Sequence, residues 1–365
     1  MTRRGFLLAA ATPRSSGSVA EYFHAGVNKH GIVGASLSVW HNGNVILEER
    51  AGLQNLETKQ PVTPATLYHW ASVTKTMTSI GILQLRDRGL LNLDDPIIRY
   101  CPEVGMVKNR FGSMDQITIR HVLSHSSGFR ASTWPWPTPW DQTSAKAWGQ
   151  IIERMPETEI AFAPGSRFSY SNLAILFLGR TIEKLTGETF TDFINKNIFQ
   201  RLGMQSSYFN RTAPPLLAVR AQSYYREKGR LRTAPFDIDT GVTTANSGLN
   251  APISDMILYL SSLAGMGRSI LSTASLEEMW QPLFQAEDKE SIGLGFFITQ
   301  RAAVKLVGHA GDQNAFISRV GLAPSRRAAY AVAYNTNATG FGQSTKAFDI
   351  QLKEFLIDKV FIDLS

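Results

Sequence analysis

The chain has 365 residues, of which 43% are apolar and 18% are charged. This composition excludes an intrinsically disordered protein, and the length is sufficient for one large α/β unit or for two packed lobes. The net charge is +7, but lysine and arginine are scattered with no run of four, so nucleic acid is not an expected partner. The single cysteine, Cys101, excludes an intrachain disulfide and a cysteine-based metal site.

The first residues of the chain resemble a twin-arginine export signal. Arg3 and Arg4 precede Phe6 and a short apolar stretch that ends at Thr12. Because this stretch is shorter than a usual signal core, residues 1–18 are interpreted as an export signal or a mobile N-terminus, and the periplasm or secretion is favoured over the cytoplasm. No stretch reaches the roughly 18 apolar residues of a spanning helix, which predicts no integral membrane segment.

The first structural elements follow this segment. Amphipathic spacing over residues 19–30 predicts a helix. Residues 34–40 and 44–50 then alternate between two faces, and Asn42-Gly43 between them is a strong hairpin signal. The fold therefore begins with a helix and an antiparallel hairpin.

The central part of the chain is predicted to be helical. Apolar residues surround almost the whole helix that follows Ser72 and ends at Gly89, which indicates a helix buried between layers. Residues 90–235 show helical segments and long loops with little strand alternation. Residues 134–140 contain three prolines and three tryptophans, so they form a loop that either lines a substrate cleft or packs on its own lobe.

Strand patterns return in the last part of the chain, at residues 293–300, 303–307, 315–320 and 328–334, and a closing helix is predicted at 344–359. The predicted fold class is α/β (α+β): an antiparallel β-sheet flanked by helices, built from both chain ends, with an inserted all-helical lobe. We predict a single domain over residues 19–360. Its α/β lobe comprises about 19–70 and 250–360, and its helical lobe about 75–240.

Ser72 and Lys75 form a Ser-x-x-Lys motif at the predicted start of the buried helix. Positions i and i+3 lie on the same face of a helix, so the hydroxyl and the amine are close enough to touch. A neutral Lys75 could take the proton of Ser72, and a backbone N–H at the helix start could stabilise an oxyanion. The spacing indicates acyl transfer, although such a short match also occurs by chance in a chain of this length.

Four further motifs follow in chain order. Residues 121–128 read His-Val-Leu-Ser-His-Ser-Ser-Gly, residues 170–172 read Tyr-Ser-Asn, residues 247–252 read Ser-Gly-Leu-Asn-Ala-Pro, and residues 309–311 read His-Ala-Gly. With Ser-x-x-Lys, they resemble the serine β-lactamase and penicillin-binding-protein superfamily. The resemblance spans roughly residues 20–360 and is closest to class C β-lactamases, DD-peptidases, D-aminopeptidases and family VIII esterases.

The resemblance implies that Ser72 is the nucleophile and that Lys75 is its base or proton relay, with Tyr170 sharing that work. A phenol has an ordinary pKa near ~10, so Tyr170 would need a nearby cation such as Lys75 to act as a phenolate at neutral pH. The sequence leaves open which of the two takes the proton.

The resemblance also implies residues that bind the substrate and the oxyanion. Asn172 would donate its amide to a substrate carbonyl or to Lys75, and it could also cap the helix that it opens. The oxyanion would be held by the backbone N–H groups of Ser72 and Asp312. Gly311 precedes Asp312, and its lack of a side chain would let a substrate lie close to the strand edge.

His309 stands where class C β-lactamases have a lysine. Lysine is a permanent charge that suits a β-lactam carboxylate, whereas histidine is largely neutral near pH 7, so an efficient β-lactamase is not expected. His309 either orients the substrate, relays a proton, or ends its strand without a chemical role. The other histidines show no metal spacing, His125 is expected to bond its own loop, and no glycine-rich phosphate loop follows a strand. We therefore expect no metal and no cofactor.

The sequence thus predicts a serine hydrolase that cleaves an ester or amide through an acyl-enzyme on Ser72. Alternatives are a DD-peptidase or D-aminopeptidase, a weak β-lactamase, and a non-catalytic penicillin-recognising module, against which the intact Ser72, Lys75 and Tyr170 count. The expected partner is a small-molecule ester, amide, D-amino-acid peptide or β-lactam. The choice among these substrates and the oligomeric state stay open.

Overall fold

The structure is a computed structural model that describes residues 16–129, 148–286 and 290–364. Residues 1–15 of the predicted export signal or mobile N-terminus (1–18), and the proline- and tryptophan-rich residues 134–140, lie outside the described residues. Within the described part, no helix combines the length and apolar character needed to cross a membrane.

Eleven α-helices lie in the described ranges. They are α1 Ser16–Lys29, α2 Thr74–Asp87, α3 Ile119–Leu123, α4 Trp148–Ile152, α5 Asn172–Thr186, α6 Phe190–Ile194, α7 Gln200–Leu202, α8 Thr244–Ser247, α9 Ile253–Leu263, α10 Thr273–Met279 and α11 Thr345–Leu356. The helices α1 and α11 correspond to the two helices predicted near the ends of the chain.

Sixteen strands occupy the same described part. They are β1 Gly34–His41, β2 Asn44–Asn55, β3 Gln60–Pro61, β4 Tyr68–Ala71, β5 Tyr208–Phe209, β6 Tyr224–Glu227, β7 Arg230–Thr233, β8 Leu249–Ala251, β9 Phe284–Gln285, β10 Ser291–Ile292, β11 Phe297–Arg301, β12 Val304–Gln313, β13 Phe316–Ala323, β14 Ala328–Tyr334, β15 Thr336–Gly340 and β16 Gln343–Ser344.

The main sheet has nine strands in the order β3-β2-β1-β14-β13-β12-β11-β10-β9. The pairings of β1 with β14 and of β13 with its neighbours β12 and β14 are antiparallel, so the first hairpin joins the C-terminal strands at the centre of the sheet. Asn42 and Gly43 turn this hairpin with positive φ angles of 45° and 89°, as a tight two-residue turn requires. The predicted fold class, with a sheet built from both chain ends, is confirmed.

One part of the prediction is wrong, because the region expected to be all-helical also contains strands. The hairpin of β6 and β7 lies there, and β6 pairs in parallel with β15 from the C-terminal part of the chain. β7 is exposed along its whole length, so it lacks the alternation of apolar residues that would reveal a strand. The second partner of β6, strand β15, is more than a hundred residues away, so that pairing leaves no local signal.

Helix α2 lies between the sheet and the helical part, as its apolar surface predicts. Every residue from Thr74 to Leu85 is buried, and α2 packs against α5 and α8. The helix stops before Gly89, which adopts a left-handed φ of 74°. A helix enclosed on all sides cannot shift easily, so the residues at its start are held rigidly.

Candidate active site

Ser72 lies in the sharp connection between β4 and α2. Ala71, just before it, has a φ of 47°, a left-handed conformation that is uncommon for a residue with a side chain. Thr74 stabilises this turn, because its hydroxyl donates to the Ala71 carbonyl at 2.6 Å and accepts from the Leu249 N–H at 3.0 Å. The strained turn projects Ser72 away from the strand and into a cavity.

Strand β12 approaches this turn at Gly311. A Cβ atom on Gly311 would lie 2.2 Å from the Trp70 carbonyl oxygen, which also accepts a hydrogen bond from the Ser318 hydroxyl at 3.0 Å. The sequence predicts that Gly311 leaves room for a substrate, but in the structure the Trp70 backbone fills that room. Glycine therefore allows β12 to pack directly on β4, which sets the distance between the strand edge and Ser72.

Gly311→Ala is expected to lower the free energy of unfolding by about 1–3 kcal/mol, because the new methyl group must displace backbone rather than a flexible side chain. Thermal unfolding of the variant and the wild type measures this effect. A variant with unchanged unfolding but slow turnover would instead support a role for Gly311 in substrate access alone.

Lys75 is fully buried, one helical turn after Ser72. Its Nζ lies 2.9 Å from Ser72 Oγ and donates to the Asn246 carbonyl oxygen at 2.8 Å. Burial lowers the pKa of Lys75 well below its ordinary value of 10.5. The sequence could not reveal Asn246 as a partner, because a backbone carbonyl leaves no side-chain signal.

Tyr170 is the third group at this point. Its phenol shares a hydrogen bond with Ser72, and its ring lies 5.1 Å from Lys75 Nζ. Burial raises the pKa of the phenol above its ordinary value, and the hydrogen bond with Ser72 offsets only part of this shift. The pKa values of Lys75 and Tyr170 thus move in opposite directions, which favours the neutral form of the amine and the protonated form of the phenol.

Asn172 lines the same cavity as Ser72, but the prediction that it caps helix α5 is wrong. The capping residue is Ser171, whose hydroxyl accepts from the Ala174 N–H at 3.2 Å. Asn172 is the first helical residue, and its carbonyl oxygen accepts a hydrogen bond from the side chain of Asn246 at 3.4 Å. The side-chain amide of Asn172 therefore does not cap the helix and is available to bind a ligand.

His125 holds the Tyr170 segment in place through two hydrogen bonds and a ring contact. Its Nδ1 accepts from the Ser171 N–H at 3.1 Å, and its carbonyl oxygen accepts from the Ser169 N–H at 2.8 Å. Its ring stacks on Tyr170 with 4.4 Å between the ring centroids. The prediction that His125 bonds its own loop thus understates it, since it fixes both the backbone and the ring of the Tyr170 segment.

His309 lies on β12 and faces the same space. Its ring is 6.2 Å from the Tyr170 ring and 5.1 Å from the Phe297 ring, measured between centroids. Its Nδ1 lies 2.6 Å from the Ala310 carbonyl oxygen, and Nε2 has no hydrogen-bond partner among the described residues. Burial lowers the pKa of His309 to about 3, and the nearby Lys75 adds to this effect.

The predicted site residues meet in one cavity of about 480 Å³. Its lining includes Ser72, Tyr170, Asn172, His309, Gly311 and Asp312. Lys75 lies behind Ser72, and its Nζ contacts the Ser72 hydroxyl. Phe168 and Phe297 add an apolar wall, so the cavity combines a serine hydroxyl, a few other polar groups and apolar surface in the manner of a small-molecule site.

A charged region extends the cavity towards α11, and the sequence did not point to it. Arg319 on β13 pairs with Asp349 at 2.6 Å, and Lys353 pairs with Glu290 at 2.8 Å. Lys346 also lines this region and pairs with Asp312. The spacing of residues 346, 349 and 353 places them on one face of α11. This spacing is visible in the sequence, but its relation to the cavity depends on the packing of α11 over the sheet.

No group of three or more histidine, cysteine, aspartate or glutamate side chains that could hold a metal ion occurs in the ranges described by the structure.

Comparison with known proteins gives three results of note. Esterase EstB from Burkholderia gladioli is 30% identical over 219 residues, which are 58% of this chain and 55% of that protein. The octameric penicillin-binding protein homologue from Pyrococcus abyssi has a TM-score of 0.79 and 26% identity, covering 95% of this chain and 78% of that one. The D-amino acid amidase from Ochrobactrum anthropi SV3 has a TM-score of 0.80 and 22% identity, covering 96% and 99%, which shows a shared fold.

The chain spans between about a third and about half of the length of the curated relatives that it matches. The match to a family model is more extensive, because the model described as Beta-lactamase covers residues 19–353. This range includes all the described strands, the described helices except the outer ends of α1 and α11, and every residue placed around the cavity. The chain therefore belongs to the Beta-lactamase family.

Proposed function

We propose that the protein is a serine hydrolase that cleaves an ester or amide bond through an acyl-enzyme on Ser72. The observation that carries this proposal is the contact of Ser72 with both Lys75 and Tyr170 at the inner end of the cavity. A nucleophilic hydroxyl needs a nearby base and a group that returns a proton to the leaving group. The opposite shifts in the pKa values of Lys75 and Tyr170 suit these two tasks.

Lys75 is the base in the first step. A neutral amine has a free lone pair, and its hydrogen bond to the Asn246 carbonyl orients that lone pair towards Ser72 Oγ, 2.9 Å away. The proton of Ser72 moves to Lys75 Nζ while Oγ forms a bond to the substrate carbonyl carbon. The carbonyl oxygen becomes an oxyanion, for which the backbone N–H groups of Ser72 and Asp312 are the proposed donors.

Tyr170 passes the proton onwards. Its protonated phenol donates to the leaving oxygen or nitrogen as the tetrahedral intermediate collapses, and it regains a proton from Lys75. The bond to the leaving group breaks and the acyl group stays on Ser72. Water then attacks the ester carbon, gives up a proton to the same pair, and releases the acid and the free Ser72 hydroxyl.

The substrate is proposed on two grounds. The relative named as an esterase shares 30% identity with this chain, which supports ester hydrolysis. Amides present the same carbonyl to Ser72, and a D-amino acid amidase has the same fold. DD-peptidase and D-aminopeptidase activity are variants of this chemistry. Efficient β-lactam hydrolysis is disfavoured because His309 offers no positive charge to the β-lactam carboxylate.

Tyr170→Phe is expected to slow turnover by about 10²-fold or more, because it removes a general acid but keeps the ring.

The pH dependence of kcat/KM for the wild type separates the two candidate bases. If neutral Lys75 is the base, kcat/KM rises as pH increases through the lowered pKa of Lys75 and then stays level, since Tyr170 remains protonated well into alkaline solution. A rate that rises only above pH 10 would show that a Tyr170 phenolate is the base instead.

The proposal is tested by rapid mixing with p-nitrophenyl butyrate. An acyl-enzyme predicts a burst of one p-nitrophenol per active site, followed by slower steady turnover, if release of the acyl group is the slower step. Trapping of the same mixture in acid, followed by mass spectrometry of the intact chain, should show the added butyryl group. Turnover without any acylated chain under these conditions would contradict the mechanism. Parallel labelling with a fluorescent penicillin measures the β-lactam alternative.

A further inference from the structure

His69 is a buried histidine on β4, three residues before Ser72, that has no part in the proposed chemistry. It is 1% exposed, so it does not touch a ligand in the cavity. Its Nδ1 lies 3.1 Å from Asn250 Oδ1, and its Nε2 lies 2.9 Å from Gln313 Oε1. The ring therefore joins β4 to β8 through one nitrogen and to the end of β12 through the other.

The two ring nitrogens make different kinds of hydrogen bond. Burial lowers the pKa of His69 to about 4, so the ring carries one proton at neutral pH. Asn250 donates its amide hydrogens to the carbonyl oxygens of Asn210 and Gly248, so its oxygen accepts from Nδ1. Nε2 is then an acceptor, and a half-turn of the Gln313 amide brings its nitrogen to the ring as the donor.

Gln313 is next to one of the two groups proposed to hold the oxyanion. The N–H of Asp312 comes just before it in β12, and the N–H of Ser72 comes just after β4. On the other side of Asp312, a Cβ atom on Gly311 would lie 2.2 Å from a β4 carbonyl oxygen. The backbone of Asp312 is thus held against β4 from both sides, by the close packing of Gly311 and by the ring of His69.

The end of β12 needs such an anchor. Gln313 makes the last pair of the ladder between β12 and β13. The chain then turns through Asn314 and Ala315, whose left-handed φ angles of 50° and 62° belong to a turn and not to a strand. Backbone donors stabilise an oxyanion only within about 2.7–3.1 Å of it, so the separation of the two N–H groups must stay fixed at the point where the ladder stops.

We propose that His69 is a positioning residue, which acts through Gln313 to set the distance between the two N–H groups that hold the oxyanion. This inference rests on the proposed hydrolase function for the identity of these donors. Because His69 does not touch the substrate, loss of its bond to Gln313 lowers the stabilisation of the transition state and leaves binding of the substrate nearly unchanged.

Three substitutions of His69 separate its two hydrogen bonds. The side-chain amide of glutamine takes the place of Nε2, that of the shorter asparagine takes the place of Nδ1, and phenylalanine keeps the ring without either bond. With p-nitrophenyl butyrate, His69→Gln should retain kcat within about threefold. His69→Asn and His69→Phe should lower kcat by about 10–100-fold, with KM within about twofold, as expected for a displaced oxyanion donor.

The partner residue gives a second route to the same bond. Gln313→Leu should lower kcat about as much as His69→Phe, and the double variant should show no further loss, because both changes remove one interaction. If His69→Phe does not fold, Gln313→Leu still decides the outcome. Wild-type kcat in Gln313→Leu would overturn the proposal. So would equal kcat values in His69→Gln and His69→Asn, or an effect confined to KM.

Hydrogen exchange without substrate separates this proposal from the hydrolase function. Mass spectrometry of the peptide that contains residues 312–314 should show exchange at least about 10-fold faster in His69→Asn than in the wild type, and little change in His69→Gln. Equal exchange in all three proteins would overturn the positioning role. The expected difference in exchange, together with a wild type that forms no acyl-enzyme, would support the anchor at Gln313 and contradict the hydrolase function alone.

Discussion

Ser72→Ala is expected to lower kcat for a p-nitrophenyl ester by on the order of 10⁴-fold or more, because removal of a nucleophile leaves only the binding and oxyanion contributions of a site. The variant keeps Lys75 and Tyr170 in place, and a missing hydroxyl on this partly exposed residue leaves no large void. Its unfolding temperature should therefore match the wild type. Steady-state kinetics with a freshly purified variant give the ratio.

A matched control exists in the same helix. Ser79 lies on α2 two turns further along, is buried, and has no hydrogen bond from its hydroxyl among the described residues. Ser79→Ala should retain activity within about threefold, because removal of a hydroxyl that makes no hydrogen bond breaks no interaction in the helix. Comparable losses in Ser79→Ala and Ser72→Ala would indicate that the effect comes from disturbance of the helix rather than from loss of the nucleophile.

Lys75→Met is expected to lower kcat by about 10³-fold, at the upper part of the range for loss of a general base. Methionine is similar in length to lysine and carries no charge, so it fills the buried space without a proton acceptor. Because Lys75 is fully buried and contacts chiefly Ser72 and the Asn246 carbonyl, the variant should unfold at the same temperature as the wild type or slightly above it.

The two readouts distinguish a catalytic Lys75 from a structural one. Slow turnover with unchanged unfolding identifies the amine as a base. Loss of folded protein would show that Lys75 holds α8 against α2 through Asn246. A rate close to that of the wild type would show that Tyr170, rather than Lys75, takes the proton of Ser72. The pH dependence of Tyr170→Phe gives an independent answer, since that variant keeps the base.

Local sequence signals predicted much of the sheet. Residues 328–334 form a continuous apolar run, and the predicted strand and the observed β14 have the same ends. Asn42 and Gly43 gave the first hairpin its turn, because few residues tolerate the positive φ that a two-residue loop needs. The hairpin of β6 and β7 was missed because β7 is exposed along its whole length, and because the second partner of β6 is a strand near the end of the chain.

In the cavity too, the features with a local sequence signal were predicted, and those set by distant residues were not. The motif spacing led to Ser72 and Lys75, and the family resemblance led to Tyr170; the structure brings these three side chains together. Spacing could not reveal that the Trp70 carbonyl, rather than a substrate, explains Gly311. It also could not show which nitrogen of His309 carries the proton, because that depends on the distance to the Ala310 carbonyl.

The strain before the nucleophile was equally hidden in the sequence. Ala71 has no property that indicates a left-handed φ, and glycine would be the usual residue for it. The conformation is imposed by the surroundings, since Thr74 bonds the Ala71 carbonyl and the Leu249 N–H at once. Sequence reasoning therefore pointed to Ser72 but not to the geometry that presents it.

The most direct test of the central claim is reaction of the wild type and of Ser72→Ala with a fluorophosphonate probe, followed by peptide mapping of the adduct. A nucleophilic serine activated by its neighbours should form one adduct per chain on the peptide that contains Ser72, and Ser72→Ala should remain unmodified. An adduct on another residue, or equal modification of the two proteins, would contradict the assignment of Ser72 as the nucleophile.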